Sequence, residues 1–182
     1  MCGEVVRGVA GSNESEEVVT GHKIIIGALV NNHPGVLMRI TELFTKRCYN
    51  IDSLEVGVTD DPTISRMTIV AKGDDAVEAQ ILKQLSKLHD VRRAAVIPAN
   101  RATIRELMLV KIQVLSQMNG ALTTMINTRG AKVIDFSIDT VTVEVTGEVE
   151  SNDAFIEAAR EFGILEVCRA GAQALHRGNE SL

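Results

Sequence analysis

The residues best placed to do chemistry lie in one short run, Asn31-Asn32-His33-Pro34-Gly35-Val36-Leu37. It follows an almost unbroken apolar segment and precedes apolar residues at helical spacing, so it reads as a loop joining a strand to a helix N-terminus. The first turn of a helix carries backbone N–H groups with no intrahelical acceptor, and these suit a carboxylate or a phosphate. His33 in the same run reads as an exposed loop histidine, with a ligand contact or a pH-sensitive group as the sharper alternative. Elsewhere the chemistry is sparse. Asp60 and Asp61 precede Pro62 and read as a turn rather than a metal pair. Cys48 reads as a small buried apolar residue, not a nucleophile. Arg66 reads as solvated or salt-bridged, or as a subunit contact, and Arg92-Arg93 as a solvated basic spot or a dock for an acidic partner. His22, His89 and His176 are scattered, and no GxGxxG, phosphate-loop, HExxH or CxxC pattern occurs.

The totals exclude several classes. The chain has 182 residues, is 45% hydrophobic and 24% charged, and carries a net charge of -5. Such a chain suits one medium or two small globular domains and argues against nucleic acid or an anionic membrane as partner. Four Phe, one Tyr and no Trp provide poorly for stacking on single-stranded nucleic acid. Cys2, Cys48 and Cys168 are too widely spaced for a metal site and fit a reduced compartment. No apolar stretch reaches membrane-spanning length, and residues 1–21 lack the charged-then-apolar order of a signal peptide, so a cytoplasmic location is expected.

The elements that must position the loop follow from periodicity. Residues 1–21, rich in Gly, Glu, Ser and Val, read as a flexible extension. Strands are expected over 23–30, 50–59, 64–72 and 91–97, with helices after the loop and after Gly73-Asp74-Asp75, where Asp caps the start. Residues 100–105 read as a connector. The order then repeats: a strand over 106–115, a polar turn over 116–120, a helix headed by Leu122, Met125 and Ile126, and strands over 132–138 and 140–147. A helix capped by Ser151-Asn152-Asp153 and a last strand over 164–169 complete it, with 171–182 as a loose tail.

Each βαββαβ unit with right-handed crossovers gives an antiparallel sheet of order 4-1-3-2 with both helices on one face, the ferredoxin-like arrangement. The fold class is therefore α+β, two tandem ferredoxin-like domains over 22–99 and 100–182. One face of each sheet is left without helices and strand two is an edge, which points to an oligomer or a larger assembly.

Three segments carry a family resemblance. Asn32-His33-Pro34-Gly35-Val36-Leu37-Met38-Arg39-Ile40, with Phe44 and Arg47-Cys48-Tyr49-Asn50-Ile51-Asp52-Ser53-Leu54, resembles the ACT domain of acetohydroxyacid (acetolactate) synthase small subunits. So does Thr59-Asp60-Asp61-Pro62-Thr63-Ile64-Ser65-Arg66-Met67-Thr68, and Arg105-Glu106-Leu107-Met108-Leu109-Val110-Lys111 looks like the opening of the family's second domain. The resemblance spans residues 23–178. Cys48 departs from it, since relatives commonly carry Gly there, and Pro34 replaces a small polar residue.

The resemblance implies a regulatory subunit without catalysis of its own. It would activate a separate catalytic (large) subunit that condenses pyruvate with thiamine diphosphate, Mg²⁺ and usually FAD, none of them held in this chain. It would confer feedback inhibition by valine, leucine or isoleucine, and would form a homodimer through its ACT domains. The implied ligand residues are Asn32, His33, Pro34, Gly35, Val36, Leu37, Asn50 and Ile51. They are physically suitable. Gly35 lets a ligand approach the backbone, the helix N–H groups suit an α-carboxylate, and the Asn amides can accept from an ammonium. Asn50 begins the edge strand, so a two-fold could bring it to the loop of a second copy. An amino-acid-responsive transcription regulator on the same domain, or an enzyme using Cys48 or a His, are the alternatives from other classes.

Overall fold

The computed structural model describes residues 21–114 and 119–182. Residues 1–20 of the expected extension over 1–21, with Cys2 among them, and most of the 116–120 turn lie outside the described residues. The described chain runs β1 (His22–Asn31), α1 (Val36–Lys46), β2 (Ile51–Val58), β3 (Ile64–Gly73), α2 (Asp75–Leu85) and β4 (Val91–Val96), then β5 (Ala102–Gln113), α3 (Asn119–Thr128), β6 (Lys132–Phe136), β7 (Thr140–Gly147), α4 (Val149–Ala159), β8 (Ile164–Arg169) and β9 (Gln173–His176). Two antiparallel sheets form, ordered β2-β3-β1-β4 and β6-β7-β5-β8. This is the 4-1-3-2 order expected from the element sequence, twice.

Alternation along the strands divides the core. Ile24, Ile26, Ala28 and Val30 of β1 and Met67, Ile69 and Ala71 of β3 point to one face, where Val36, Ile40 and Phe44 of α1 and Ile81 and Leu85 of α2 cover them. A fully buried side chain of this size contributes roughly 1.5–3 kcal/mol. Asp74 starts α2 as expected, accepting the Val77 N–H at 2.8 Å. The second sheet repeats the scheme: Met108, Val110, Ile112 and Val143 meet Leu122, Ile126 and Phe155.

The opposite face of the first sheet is closed by the chain's own C-terminal segment. Ile25 and Val70 pack with Ile97, Ala102, Ala172 and Ala174, and Leu182 joins them. A Cβ on Gly27 would come within 2.5 Å of Leu182 Cδ1 and 2.9 Å of Ile97 Cδ1, so the glycine permits this approach. Residues 171–182 are therefore not a loose tail. β9 pairs with the first residues of β5, Ala102 opposite His176 and Arg105 opposite Gln173. For the same reason residues 102–105 are strand, not connector.

Three further expectations are corrected. The trio Ser151-Asn152-Asp153 does not cap α4, which starts at Val149 after Glu148. Asn152 is instead fully buried within the helix, donating Nδ2–H to the Glu106 carbonyl and to Glu106 Oε2, each at 3.1 Å. Arg169 completes that network, donating to Glu106 Oε2 and Asp153 Oδ1, both at 2.7 Å. Cys48 is exposed, not buried, and has φ 54, a left-handed conformation that favours glycine. Arg66 is half-buried rather than fully solvated and forms no salt bridge among the described residues; it donates to the Ala174 carbonyl at 2.8 Å, holding β9 on the first sheet.

Candidate ligand site at the start of α1

The 31–37 loop is fixed from two sides. The Asn32 N–H donates to the Thr63 carbonyl and its Nδ2–H to the Pro62 carbonyl, both at 2.8 Å, tying the loop to the β2–β3 turn. That turn is itself rigid. The Thr63 hydroxyl and N–H donate to Asp61 Oδ1 at 2.7 and 2.8 Å and hold the Asp61 carboxyl below the usual carboxylate range. On the other side the Asn31 N–H donates to the Asp90 carbonyl at 2.8 Å, and Arg92 Nε donates to Asn31 Oδ1 at 2.7 Å.

Asp90 is the anchor of the second tie. Its side chain is almost buried, and it accepts from His33 Nε2 at 2.9 Å and from Arg39. Burial pushes the Asp90 carboxyl up, but the hydrogen bonds and charges of Arg39 and His33 prevail and hold it below its ordinary value. His33 is thus a loop-to-core tether as well as a loop residue. Sequence reading does not find Asp90: it stands 57 residues from His33 and no local pattern marks it.

What remains open is the start of α1. Gly35 occupies the N-cap position at φ 89, with no side-chain capping bond and no acidic residue in the first turn. The Arg39 N–H reaches the Gly35 carbonyl at 3.1 Å, so the N–H groups of Val36, Leu37 and Met38 have no intrahelical acceptor. A Cβ on Gly35 would meet nothing within 4 Å. Asn32 lies exposed beside this end with its Nδ2 engaged. Among the described residues no donor reaches its Oδ1, which is left as a free acceptor. Leu37 is 46% exposed and Met38 64%, an apolar surface next to the open N–H groups. This end of α1 can hold a carboxylate on backbone N–H groups and an ammonium on an amide oxygen, with an apolar side chain alongside.

Asn50 and Ile51 are not part of that end. Asn31 pairs with Ile64 of β3, whereas Ile51 pairs with Ala71, at the other end of the same strand. At ~3.3 Å per residue the separation is on the order of 20 Å within one chain. Asn50 is exposed and donates Nδ2–H to Asp52 Oδ1 at 2.9 Å, while Ile51 is half-buried against the first core. Ile51 begins β2, which is an edge strand with a single neighbour among the described residues. Among the described residues no group of three or more His, Cys, Asp or Glu side chains converges to hold a metal, and no helix is long and apolar enough to cross a membrane.

Comparison with known proteins covers both sheets. The family described as AHAS small subunit-like ACT domain matches residues 26–93, and the family described as small subunit of acetolactate synthase matches residues 105–178. The probable acetolactate synthase small subunit of Methanothermobacter thermautotrophicus is 43% identical over 159 residues, 87% of this chain and 95% of that protein. The acetolactate synthase isozyme 3 small subunit of Escherichia coli is 40% identical over 157 residues, 86% of this chain and 96% of that protein. The crystal structure of the acetolactate synthase small subunit from Thermotoga maritima superposes with a TM-score of 0.82 at 31% identity, covering 87% of this chain and 99% of that one.

Proposed function

The chain belongs to the acetolactate synthase small-subunit family, with an ACT domain in its first half, and from that premise we propose that it is the regulatory, non-catalytic partner of an acetolactate synthase catalytic subunit and senses a branched-chain amino acid at the start of α1. In this reading residues 22–99 are the regulatory domain and 100–182 the second domain. Thiamine diphosphate, Mg²⁺ and FAD belong to the catalytic subunit, and the assembly works in the cytoplasm.

The observation that carries the ligand assignment is the uncapped end of α1 beside a free amide oxygen. An α-amino acid carries the complementary pair of charges on one carbon. Its carboxylate takes the N–H groups of Val36, Leu37 and Met38, where the helix dipole adds to the attraction. Its ammonium donates to Asn32 Oδ1. Valine, leucine or isoleucine then lays its branched side chain against Leu37, with Pro34 and the His33 backbone bounding the loop. Gly35 keeps the approach clear, since a side chain there would project where the carboxylate arrives.

One copy leaves this site open on one side. A second copy, two-fold related and paired along the β2 edge, supplies Asn50 and Ile51 from the far end of its own sheet. The separation on the order of 20 Å within one chain supports that reading, because it is several times the length of an amino acid. Ligand binding then links two protomers, and it can change the dimer that the catalytic subunit meets.

The test is reconstitution with the catalytic subunit. The small subunit is expected to raise acetolactate formation, valine to lower it, and Gly35→Asp to relieve the valine effect while leaving activation in place. Full valine sensitivity in Gly35→Asp would overturn the site, and no activation by the wild-type chain would overturn the regulatory reading.

A further inference from the structure

A cleft of about 500 Å³ lies away from the loop, between β2 and β9. Glu55, Gly57 and Val58 of β2, Arg66 of β3, Arg105 of β5 and Leu175 of β9 line it. Its charges are unbalanced. Arg105 is paired with Glu148 at 3.3 Å, and Glu55 accepts the Gly171 N–H. Arg66 is half-buried, and burial lowers its pKa. Among the described residues no carboxylate pairs with it, and the hydrogen bond to the Ala174 carbonyl engages one of its five N–H groups. A partly desolvated guanidinium without an anion, facing a cleft, is a site that an anion completes.

The rest of the lining describes the anion. Val58 is 60% exposed and Leu175 59% exposed, so apolar surface flanks the cleft. Thr68 and Thr103 add hydroxyl groups. Gly57 stands opposite Arg66 in the β2–β3 register, and a Cβ there would meet nothing within 4 Å. The space beside Arg66 is therefore free. Two arginines and one carboxylate, Glu55, line the cleft, so its lining is net positive. A net lining charge of one suits a monoanion better than a dianion, and a planar guanidinium suits a carboxylate.

We propose that the cleft between β2 and β9 binds a short apolar monocarboxylate, with its carboxylate on Arg66 and its apolar body against Val58 and Leu175. This site is separate from the amino-acid site at α1 and does not depend on it. Because Arg66 also holds β9, occupancy here bears on the contact between the two sheets.

The experiment is calorimetric titration of the full chain with 3-methyl-2-oxobutanoate to about 10 mM, with inorganic phosphate as the comparison. Saturable binding is expected, weakened at least about tenfold by Gly57→Leu, whose side chain starts in open space beside Arg66. Arg66→Met should weaken it likewise, but it also loses the Ala174 bond, so Gly57→Leu, with an unchanged unfolding temperature, is the decisive variant. Asn32→Ala should leave the 2-oxo acid affinity unchanged. Absence of saturable heat, an unchanged affinity in Gly57→Leu, loss of binding in Asn32→Ala, or equal affinity for phosphate would each overturn the proposal.

Discussion

Replacing Asn32 with Ala separates a ligand contact from a turn residue, because the proposed site gives the two ends of its amide different tasks. Nδ2 donates to the Pro62 carbonyl at 2.8 Å, and Oδ1 is the proposed acceptor for an ammonium. The exposed Nδ2 bond is neutral and contributes about 0.5–1 kcal/mol. The Asn32 N–H bond to the Thr63 carbonyl survives the substitution, so the loop stays attached to the β2–β3 turn. For a chain of this length the unfolding temperature should fall by about 1–4 °C. The bond from Oδ1 to an ammonium is charge-assisted and worth about 1.5–3 kcal/mol. Valine affinity should therefore fall roughly 10- to 150-fold. The assay is calorimetric titration with valine beside thermal unfolding of the same sample. Unchanged affinity would refute the ligand role. A large affinity loss accompanied by a fall of more than about 10 °C would show loop collapse instead, and would refute the division of tasks.

The remaining predictions concern the frame around the site. Cys48→Gly should stabilise the chain by about 1 kcal/mol, because glycine relieves the left-handed backbone, and a rise in unfolding temperature of about 2–4 °C checks it; a fall would refute the strain argument. Asp90 has its pKa lowered in the folded state, so its contribution is fully present above the unfolded value of about 3.9 and is lost as pH falls through the lower folded value. Acid unfolding of Asp90→Asn should therefore be less steep below about pH 4 than in the wild type, and an identical acid limb would contradict the assignment.

The two sheets are legible in the sequence because their signals are local and agree with one another. The run Ile24-Ile25-Ile26 is apolar on both faces, and the structure covers both, by α1 and α2 on one side and by 171–182 on the other. Strict alternation over Thr140–Gly147 gives the half-buried β7, and Asp74 caps α2 as its type and place suggest. What escapes is what depends on distant contacts. β9 is four residues long and has no partner nearby in sequence; it forms because Arg66 and the start of β5 receive it. Asn152 looks like a cap beside Ser151 and Asp153, yet it is drawn into the helix interior by Glu106, 46 residues away. Cys48 looks like core by residue type, but the backbone turns there and the side chain faces solvent. At the candidate site the loop itself can be read from its Asn, Pro and Gly, whereas its anchors, the Pro62 and Thr63 carbonyls and Asp90, cannot. Their contribution is geometry, which residue types do not announce.

In the proposed amino-acid site one copy supplies Asn32 and the other Asn50. Mixing Asn32→Ala and Asn50→Ala chains, unfolding and refolding them together, tests it directly by counting valine sites. If the site is shared across a two-fold, half of the dimers are mixed and each mixed dimer has one site with both asparagines intact, so about a quarter of wild-type sites should return with wild-type affinity. If both asparagines act within one copy, every site in every dimer lacks one of them. In that case no wild-type affinity returns, and the shared site is wrong.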